Sequence, residues 1–241
     1  MTSALHVDAA GQLALSRRMD SIANNIANAA TPGFRADGVR FESVLSETAG
    51  RSVAYPAAGQ DYITTTPGAM KPSGNPFDIA VRGDGWFALQ SPAGPVYTRD
   101  GRLEMTATGE LRSVTGYPVL DASGASMALD PSAGPIAVAA DGMITQGGRQ
   151  VGAVGLFSFD PSALLTRFDN SSVRSNIPPS PVLDFRMNGV VQGFVEQSNV
   201  NPVREMTRMI EVQRAFDAIT ASADMLDGSK QEAIKILGGG A

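Results

Sequence analysis

Apolar residues recur at alternating spacings of three and four along the C-terminal part of the chain. The positions of this stripe are Met209, Val212, Phe216, Ile219, Ala223, Leu226, Lys230, Ala233 and Leu237, of which Lys230 alone is polar. Such spacing is typical of a long helix that presents one narrow seam to a partner helix, as in a coiled coil. Asn201 and Pro202 supply an N-cap and a first-turn proline, and the glycines at 238–240 end the helix. Charges that alternate in sign from Glu205 to Asp217 predict that this side of the helix is exposed to solvent.

The N-terminal segment carries a second, narrower apolar stripe, whose small residues let another helix approach closely. Its members are Leu5, Ala9, Leu15, Met19, Ile22, Ile26 and Ala29. The two patterns predict terminal helices that pack together as a coiled-coil-like layer. In this layer the expected contacts join Leu15, Met19, Ile22 and Ile26 to Met209, Phe216, Ile219 and Leu226.

Glycine and proline interrupt the middle of the chain every few residues, and short β-branched or aromatic runs lie between them. This pattern is typical of antiparallel β structure with tight turns. The runs predicted to be strands are residues 79–81, 86–89, 96–98, 103–105, 111–114, 117–120, 136–139, 151–159 and 190–195. The turn sequences at 83–85 and 100–101 predict hairpins, whereas Asp160 and Pro161 predict a short helix over 162–167.

Together these patterns predict a mixed α and β fold. The N- and C-terminal helices form a coiled-coil-like layer beside a central, mostly antiparallel β domain. The expected divisions are a terminal helical domain of residues 1–36 and 197–241, an extended connector over 37–66 and a β domain over 67–196. The connector has poor periodicity and many small or turn-forming residues, so we expect extended or partly disordered backbone there.

Composition argues against several classes of function. The 241 residues carry a formal charge of −5 without a basic run, so nucleic acid and anionic membrane surfaces are not expected partners. No segment has the length and hydrophobicity of a transmembrane helix, and charges interrupt the N-terminal stripe, so no cleaved signal peptide is expected. The chain has no cysteine, and His6 is its only histidine. Catalytic residues, metal sites, cofactors and small-molecule substrates are therefore not expected.

Three asparagines, Asn24, Asn25 and Asn28, lie at the end of the N-terminal stripe. Buried asparagine can fix the register between two packed helices, which is the functional interpretation. Asparagine is equally favoured at fraying helix ends and in turns, which is the structural alternative. The sequence alone leaves both interpretations open.

Four segments resemble signatures of the bacterial flagellar rod and hook family and occur in the family's order. They are residues 21–35, 75–87, 97–101 with 116–120, and 198–203 with 209–211 and 213–216. The first reads SIANNIANAATPGFR, which is a long and specific motif. Within this family the chain is most similar to the proximal-rod group, because its C-terminal helix continues well past residue 216. The distal-rod group is the near alternative.

The resemblance implies a non-enzymatic subunit of the basal-body rod, the axial shaft that crosses the periplasm and transmits torque. It also implies that the flagellar export apparatus secretes the subunit unfolded, and that the subunit then polymerises with itself and with other rod subunits through its terminal helices. The residues expected at this assembly interface are Leu15, Met19, Ile22, Asn24, Asn25, Ile26, Asn28, Met209, Val212, Phe216, Ile219, Leu226 and Leu237. Two alternatives remain: a distal-rod or hook subunit of the same family, and a wall-cleaving enzyme of the flagellum, which would need two convergent carboxylates.

Overall fold

The chain divides into two compact units in the computed structural model, which describes residues 2–40, 43–48, 51–56 and 59–238. Unit 1 comprises Met1–Ala27, Asp37–Tyr62 and Asn201–Ala241. Unit 2 comprises Asn28–Ala36 and Ile63–Val200. Each unit is therefore built from segments that are far apart in the sequence.

Two long helices, α1 (Thr2–Ala27) and α2 (Pro202–Gly238), lie in unit 1. Asn201 caps α2, because its Oδ1 accepts a hydrogen bond from Arg204 N at 3.1 Å. The predicted terminal helices are thus confirmed. In the segment predicted as a connector, β1 (Asp37–Arg40) is hydrogen-bonded to β4 (Gln60–Ile63), and β2 (Ser43–Thr48) pairs antiparallel with β3 (Arg51–Pro56).

Unit 2 is built from short antiparallel strands. They are β5 (Met70–Pro72), β6 (Ile79–Arg82), β7 (Trp86–Ser91), β8 (Gly94–Thr98), β9 (Leu103–Met105), β10 (Leu111–Ser113), β11 (Ile136–Val138), β12 (Met143–Gln146), β13 (Arg149–Ala153), β14 (Leu156–Ser158), β15 (Leu165–Arg167), β16 (Ser172–Ser175), β17 (Ser180–Pro181), β18 (Gly189–Gln192) and β19 (Phe194–Glu196). A six-stranded sheet has the order β15-β16-β8-β7-β14-β17, and β11, β12 and β13 form a second sheet. Further pairs join β9 to β10, β6 to β18 and β5 to β19. The mixed fold with a β-rich centre is therefore confirmed.

Two apolar clusters fill the interior of unit 2. The buried members of the larger cluster are Ile79, Val81, Phe87, Leu89, Val96, Leu103, Leu111, Val119, Met127, Leu129, Ile136, Ile144, Val154, Leu156, Val182 and Val190. The smaller cluster surrounds Trp86 and Tyr97, and the Tyr97 ring meets Phe159 edge-on at a centroid distance of 5.3 Å. All buried members of both clusters lie between Ile63 and Val190 in the sequence.

The two hairpins predicted around residues 83–85 and 100–101 are wrong. β6 pairs with β18 rather than β7, and β8 pairs with β7 and β16 rather than β9. The first turn binds a buried side chain instead, since Arg99 donates hydrogen bonds to the carbonyl oxygens of Gly83 and Gly85. At the second turn a β-carbon on Gly101 would lie 1.7 Å from Ile79 O, so this glycine permits a close crossing between segments.

The short helix predicted over residues 162–167 is also wrong. Asp160 Oδ1 accepts hydrogen bonds from both the backbone N and the Oγ of Ser162, which closes a tight turn rather than a helix cap. The chain then enters β15, which pairs with β16. Cross-strand pairing in the six-stranded sheet therefore overrode the local helix signal.

In the part of the chain that the structure describes, neither helix is long and apolar enough to cross a membrane. Across the same residues, no three side chains of histidine, cysteine, aspartate or glutamate come together as a metal site.

Candidate assembly interface

The helices α1 and α2 share a narrow seam within unit 1. Ala14, Ile22 and Val212 are buried along it. Gln12 Nε2 donates a hydrogen bond to Thr220 Oγ1 at 3.2 Å, and Asn25 Nδ2 donates to Glu205 Oε2 at 3.5 Å. Since the higher number on one helix meets the lower number on the other, α1 and α2 run antiparallel.

Gly11 lets the two helices approach closely at one point of the seam. A β-carbon placed on Gly11 would lie 3.2 Å from Ile219 Cδ1, which is tighter than ordinary van der Waals contact. Glycine within a helix costs about 1 kcal/mol relative to alanine, so a packing reason is expected where it occurs. Here the reason is the Ile219 side chain.

The structure places the sequence-predicted interface residues at different depths. Those that are buried are Ile22, Asn25, Asn28 and Val212. Those that are partly buried are Leu15, Met19, Asn24, Ile26, Met209, Phe216 and Ile219. The side chains of Leu226 and Leu237 lie outside the described residues. Asn28 belongs to unit 2, whereas the others belong to unit 1. That these residues contact neighbouring subunits stays a prediction.

Asn25 is hydrogen-bonded on both sides of its amide. Its Nδ2 donates to Asp37 O at 2.9 Å, and its Oδ1 accepts from Asp37 N at 2.8 Å, so the side chain fastens the start of β1 to α1. Its contact with Glu205 crosses the seam to α2. Asn28 lies beyond the end of α1 and accepts a hydrogen bond from Thr31 Oγ1. The cross-seam contact is of the kind that the register interpretation requires.

The charge pattern predicted that Glu205 lies on a solvated side of α2, and this prediction is wrong. The Glu205 side chain is buried, and Arg208 Nη1 lies 2.5 Å from its Oε1. A carboxylate in an interhelical seam is stable only when it is paired and hydrogen-bonded. Arg208 and Asn25 supply those partners, which a spacing rule along one helix cannot show.

A second apolar face of α2 points away from the seam. Val203, Met206 and Ile210 share one side of the helix and are 72%, 53% and 53% exposed. At about 100° per residue, Val203 lies half a turn from the buried Val212. We call these three residues the outer face. Within unit 1, α2 therefore carries apolar side chains on opposite sides, of which α1 covers one.

Unit 2 contains a buried ion cluster formed by Arg35, Arg99 and Glu196. Arg35 Nη2 lies 2.7 Å from Glu196 Oε1, and Arg99 Nε lies 3.2 Å from Glu196 Oε2. All three side chains are at most 2% exposed. Both guanidinium carbons lie 5.8 Å from the ring centroid of Trp86, which suits a cation–π contact. We call these three charged residues the junction cluster.

Burial changes the ionisation of the two arginines. Desolvation, followed by repulsion from Arg99, lowers the pKa of Arg35 to about 10, and the Glu196 carboxylate opposes this shift. Desolvation likewise lowers the pKa of Arg99, again against the effect of Glu196. The Glu196 carboxylate is therefore the main group that stabilises both guanidinium charges inside the unit, and Asp84 adds a smaller effect in the same direction.

Hydrogen bonds of the backbone and of the Asn199 side chain surround the junction cluster and join the segment that follows α1 in sequence to the segment that precedes α2. Gly33 N donates to Glu196 O at 2.8 Å, and Asn199 Oδ1 accepts from Ala36 N at 2.8 Å. Asn199 Nδ2 also donates to Thr64 Oγ1 at 2.9 Å. The junction cluster therefore lies where the first and the last segment of unit 2 meet.

Sequence reasoning missed the junction cluster, although a signal was present. Glu196 directly follows the predicted strand 190–195, and Arg99 directly follows the predicted strand 96–98. A charged residue at the end of a buried strand requires an opposite charge in the fold. What the sequence does not show is which of the 19 lysines and arginines and 24 acidic residues are partners.

Comparisons with known proteins agree with this architecture. Three family models match: "Flagella basal body rod protein" at residues 5–35, "Flagellar hook protein FlgE/F/G D1 domain" at 80–146 and "Flagellar basal body rod FlgEFG protein C-terminal" at 191–235. The first and third cover most of α1 and α2 together with both sides of the junction cluster, and the second lies within unit 2.

Relatives match over nearly the whole chain. The flagellar basal-body rod protein FlgF of Mesorhizobium japonicum is 49% identical over 99% of both chains. FlgF of Rhizobium meliloti is 46% identical over 99% of both chains. The flagellar basal-body rod protein FlgG of Bacillus subtilis is 30% identical over 94% of this chain and 97% of its own. The chain therefore belongs to the flagellar basal-body rod protein family, as a FlgF-like structural subunit and not an enzyme.

Proposed function

We propose that this basal-body rod subunit polymerises through unit 1, with copies of itself and with other rod subunits as partners. The flagellar export apparatus delivers the chain from the cytoplasm before assembly. The observation that carries the proposal is the outer face of α2, which exposes Val203, Met206 and Ile210 while the opposite side of the helix is buried. A helix with apolar side chains on opposite sides is expected to have a partner on each of them.

The proposed contact is favourable because the outer face is already exposed. Full burial of one large aliphatic side chain contributes roughly 1.5–3 kcal/mol. A few such side chains repeated over many subunit contacts stabilise a polymer, since each heterologous contact is made again at every subunit. Leu13 of α1 is 54% exposed and adds apolar surface to the same unit.

The proposal also includes coiled-coil packing of the two terminal helices and the domain divisions expected from the sequence. The antiparallel contacts across the seam and its narrow width support coiled-coil packing of α1 against α2. The helical domain of residues 1–36 and 197–241, the connector over 37–66 and the β domain over 67–196 remain the proposed divisions. The seam residues predicted from the sequence then hold unit 1 together, and the outer face supplies a contact to a neighbour.

Substituting aspartate at both Met206 and Ile210 tests the outer face. We expect the double variant to be exported and to retain its helical circular dichroism, because both side chains are exposed in the chain. It is expected to be missing from purified basal bodies and to leave a deletion strain non-motile, since two charges would be buried at the subunit contact.

Ser222→Asp provides the matched control, because Ser222 is exposed on α2 and lies about a third of a turn from Val203 and Ile210. This variant is expected to assemble and to restore motility. Normal incorporation of the Met206→Asp/Ile210→Asp variant would show that the outer face is not a subunit contact.

A further inference from the structure

The last strand of unit 2 adds little to its two apolar clusters. All buried members of the two apolar clusters lie between Ile63 and Val190, whereas Glu196 ends β19. Within residues 194–199, Val195 is buried at 6% exposure but belongs to neither cluster, so hydrophobic burial supplies only a small part of the free energy that docks this segment. The same core nevertheless encloses Arg35 and Arg99, which are 1% and 2% exposed.

The junction cluster makes the last strand indispensable for an electrostatic reason. Without Glu196, two guanidinium groups would be buried side by side with mutual repulsion. Desolvation, followed by this repulsion, already lowers the pKa of Arg35. Removing one partner of a buried ion pair is far more costly than removing a surface pair, because the remaining charge has no water around it. In this cluster one carboxylate serves two cations, so its loss affects both.

The docking of the carboxylate also organises the backbone around it. Glu196 Oε1 accepts a hydrogen bond from Gly68 N at 2.9 Å, and Gln197 N donates to Ala69 O at 2.8 Å. A β-carbon on Gly68 would lie 1.8 Å from Gln197 O, so the two segments fit only in this close arrangement. The ion pairs, the hydrogen bonds and the close packing at Gly68 therefore all hold residues 196 and 197 in place.

We propose that Glu196 is a folding latch: unit 2 reaches its native structure only when residues 194–199 place the Glu196 carboxylate between Arg35 and Arg99. Until then both apolar clusters can form, but the two buried cations lack the Glu196 carboxylate. A chain translated from its N-terminus therefore stays unfolded in this unit until nearly the whole of the unit has been made. This device is independent of the outer face and of polymerisation.

The latch is tested on the full chain with Glu196→Gln, which keeps the shape of the side chain and removes its charge. Trp86 is the only tryptophan and lies against both arginines, so its fluorescence follows this part of unit 2 during urea unfolding. We expect the folding equilibrium constant to fall by about a hundredfold or more. Glu110→Gln removes a carboxylate that pairs with Arg112 at 2.7 Å on the surface, and we expect a change of no more than about fivefold.

A double-mutant cycle shows whether charge is the cause, even if Glu196→Gln alone does not fold. Arg35→Met is expected to destabilise the wild-type chain but to stabilise the Glu196→Gln chain, because it removes one of the two uncompensated cations. If Arg35→Met lowers stability equally in both backgrounds, or if the double variant is as unfolded as Glu196→Gln, the electrostatic latch is wrong.

Stopped-flow kinetics separate a latch from a merely stabilising ion pair. A latch that gates folding places the loss in the refolding rate, which we expect to fall about tenfold or more in Glu196→Gln. Should the refolding rate stay unchanged while unfolding accelerates, the pair forms after the barrier and does not gate folding. A Glu196→Gln chain within fivefold of the wild-type equilibrium constant would also overturn the proposal.

Discussion

At the scale of single residues, short polar side chains close the turns of unit 2. Asp121, Asp130 and Asp160 each accept hydrogen bonds from the backbone N and the Oγ of the serine two residues later. Aspartate favours such turns because its carboxylate reproduces the hydrogen bond of a backbone turn. The repeated Asp-x-Ser sequence is therefore turn chemistry, although around residue 160 it resembles a helix cap.

Ser162→Ala tests one of these turns through ionisation. The Ser162 hydroxyl, together with its backbone N, lowers the pKa of Asp160 below the ordinary value of 3.8. Because the folded-state pKa is depressed, the contribution to stability is present above pH 3.8 and is lost as pH falls through the folded-state pKa. We expect Ser162→Ala to raise the pKa of Asp160, as measured by NMR titration of its carboxyl carbon, and to leave Asp130 unchanged. An unaltered Asp160 titration would contradict the assignment.

Gly33→Ala tests a glycine that the fold requires. Gly33 has a φ of +69°, and a β-carbon there would lie 2.2 Å from Asp100 N. The left-handed conformation alone costs a non-glycine residue about 1–2 kcal/mol, and the backbone contact adds to this cost. We expect the free energy of unfolding measured at Trp86 to fall by more than about 2 kcal/mol.

Gly148→Ala is the control for this substitution. Gly148 also has a positive φ, of +80°, but its β-carbon would meet nothing within 4 Å. It should therefore show the conformational cost alone, about 1–2 kcal/mol. Equal losses at both positions would mean that the close approach at Gly33 carries no energy.

At the scale of elements, the two helices depend on each other more than on their own propensities. α2 carries its buried side chains on one narrow stripe, which includes Glu205 and Val212, and α1 lies against that stripe. Most of the stability of a protein helix comes from packing of this kind. The strands behave likewise, because partners distant in sequence, such as β6 and β18, decide their pairing.

Val212→Asp tests whether the seam holds the helices independently of unit 2. Val212 is 4% exposed, and an unpaired aspartate there would bury a charge without a partner. We expect the helical signal in circular dichroism to melt at a clearly lower temperature. The free energy of unfolding of the helices should fall by roughly 3 kcal/mol or more. The Trp86 transition of unit 2 should stay where it is in the wild-type chain.

The control is a substitution in unit 2, which should change the other of the two transitions. Gly33→Ala lies in unit 2 and should shift the Trp86 transition while leaving the helical signal in place. If both substitutions moved both transitions together, the two units would unfold as one, and a two-unit description of stability would fail.

At the scale of the whole molecule, each unit takes residues from both ends of the chain. Unit 1 joins Met1–Ala27 to Asn201–Ala241, and unit 2 joins Asn28–Ala36 to segments that extend to Val200. Closing such long loops costs entropy that is recovered only when the distant partners meet. Both the seam and the junction cluster lie at these closures, so neither unit is complete before the C-terminal part of the chain is present.

The sequence by itself determined the classes of structure in this protein and its family. Helical periodicity is local, so the spacing of apolar residues was enough to predict α1 and α2, and the residue types of Asn201 and Pro202 predicted the cap. Strand-forming runs and turn residues are local as well, which is why most β segments were found. The long and specific motif at residues 21–35, with the ordered matches that follow it, identified the rod and hook family before any fold was known.

Only the tertiary structure decided which residues meet. Pairing of β6 with β18, burial of Glu205 beside Asn25, and the ion pairs of Glu196 with Arg35 and Arg99 join positions that are far apart in the chain. No local pattern specifies such partners, because the free energy of a buried charge or an unpaired strand depends on what the completed fold places beside it.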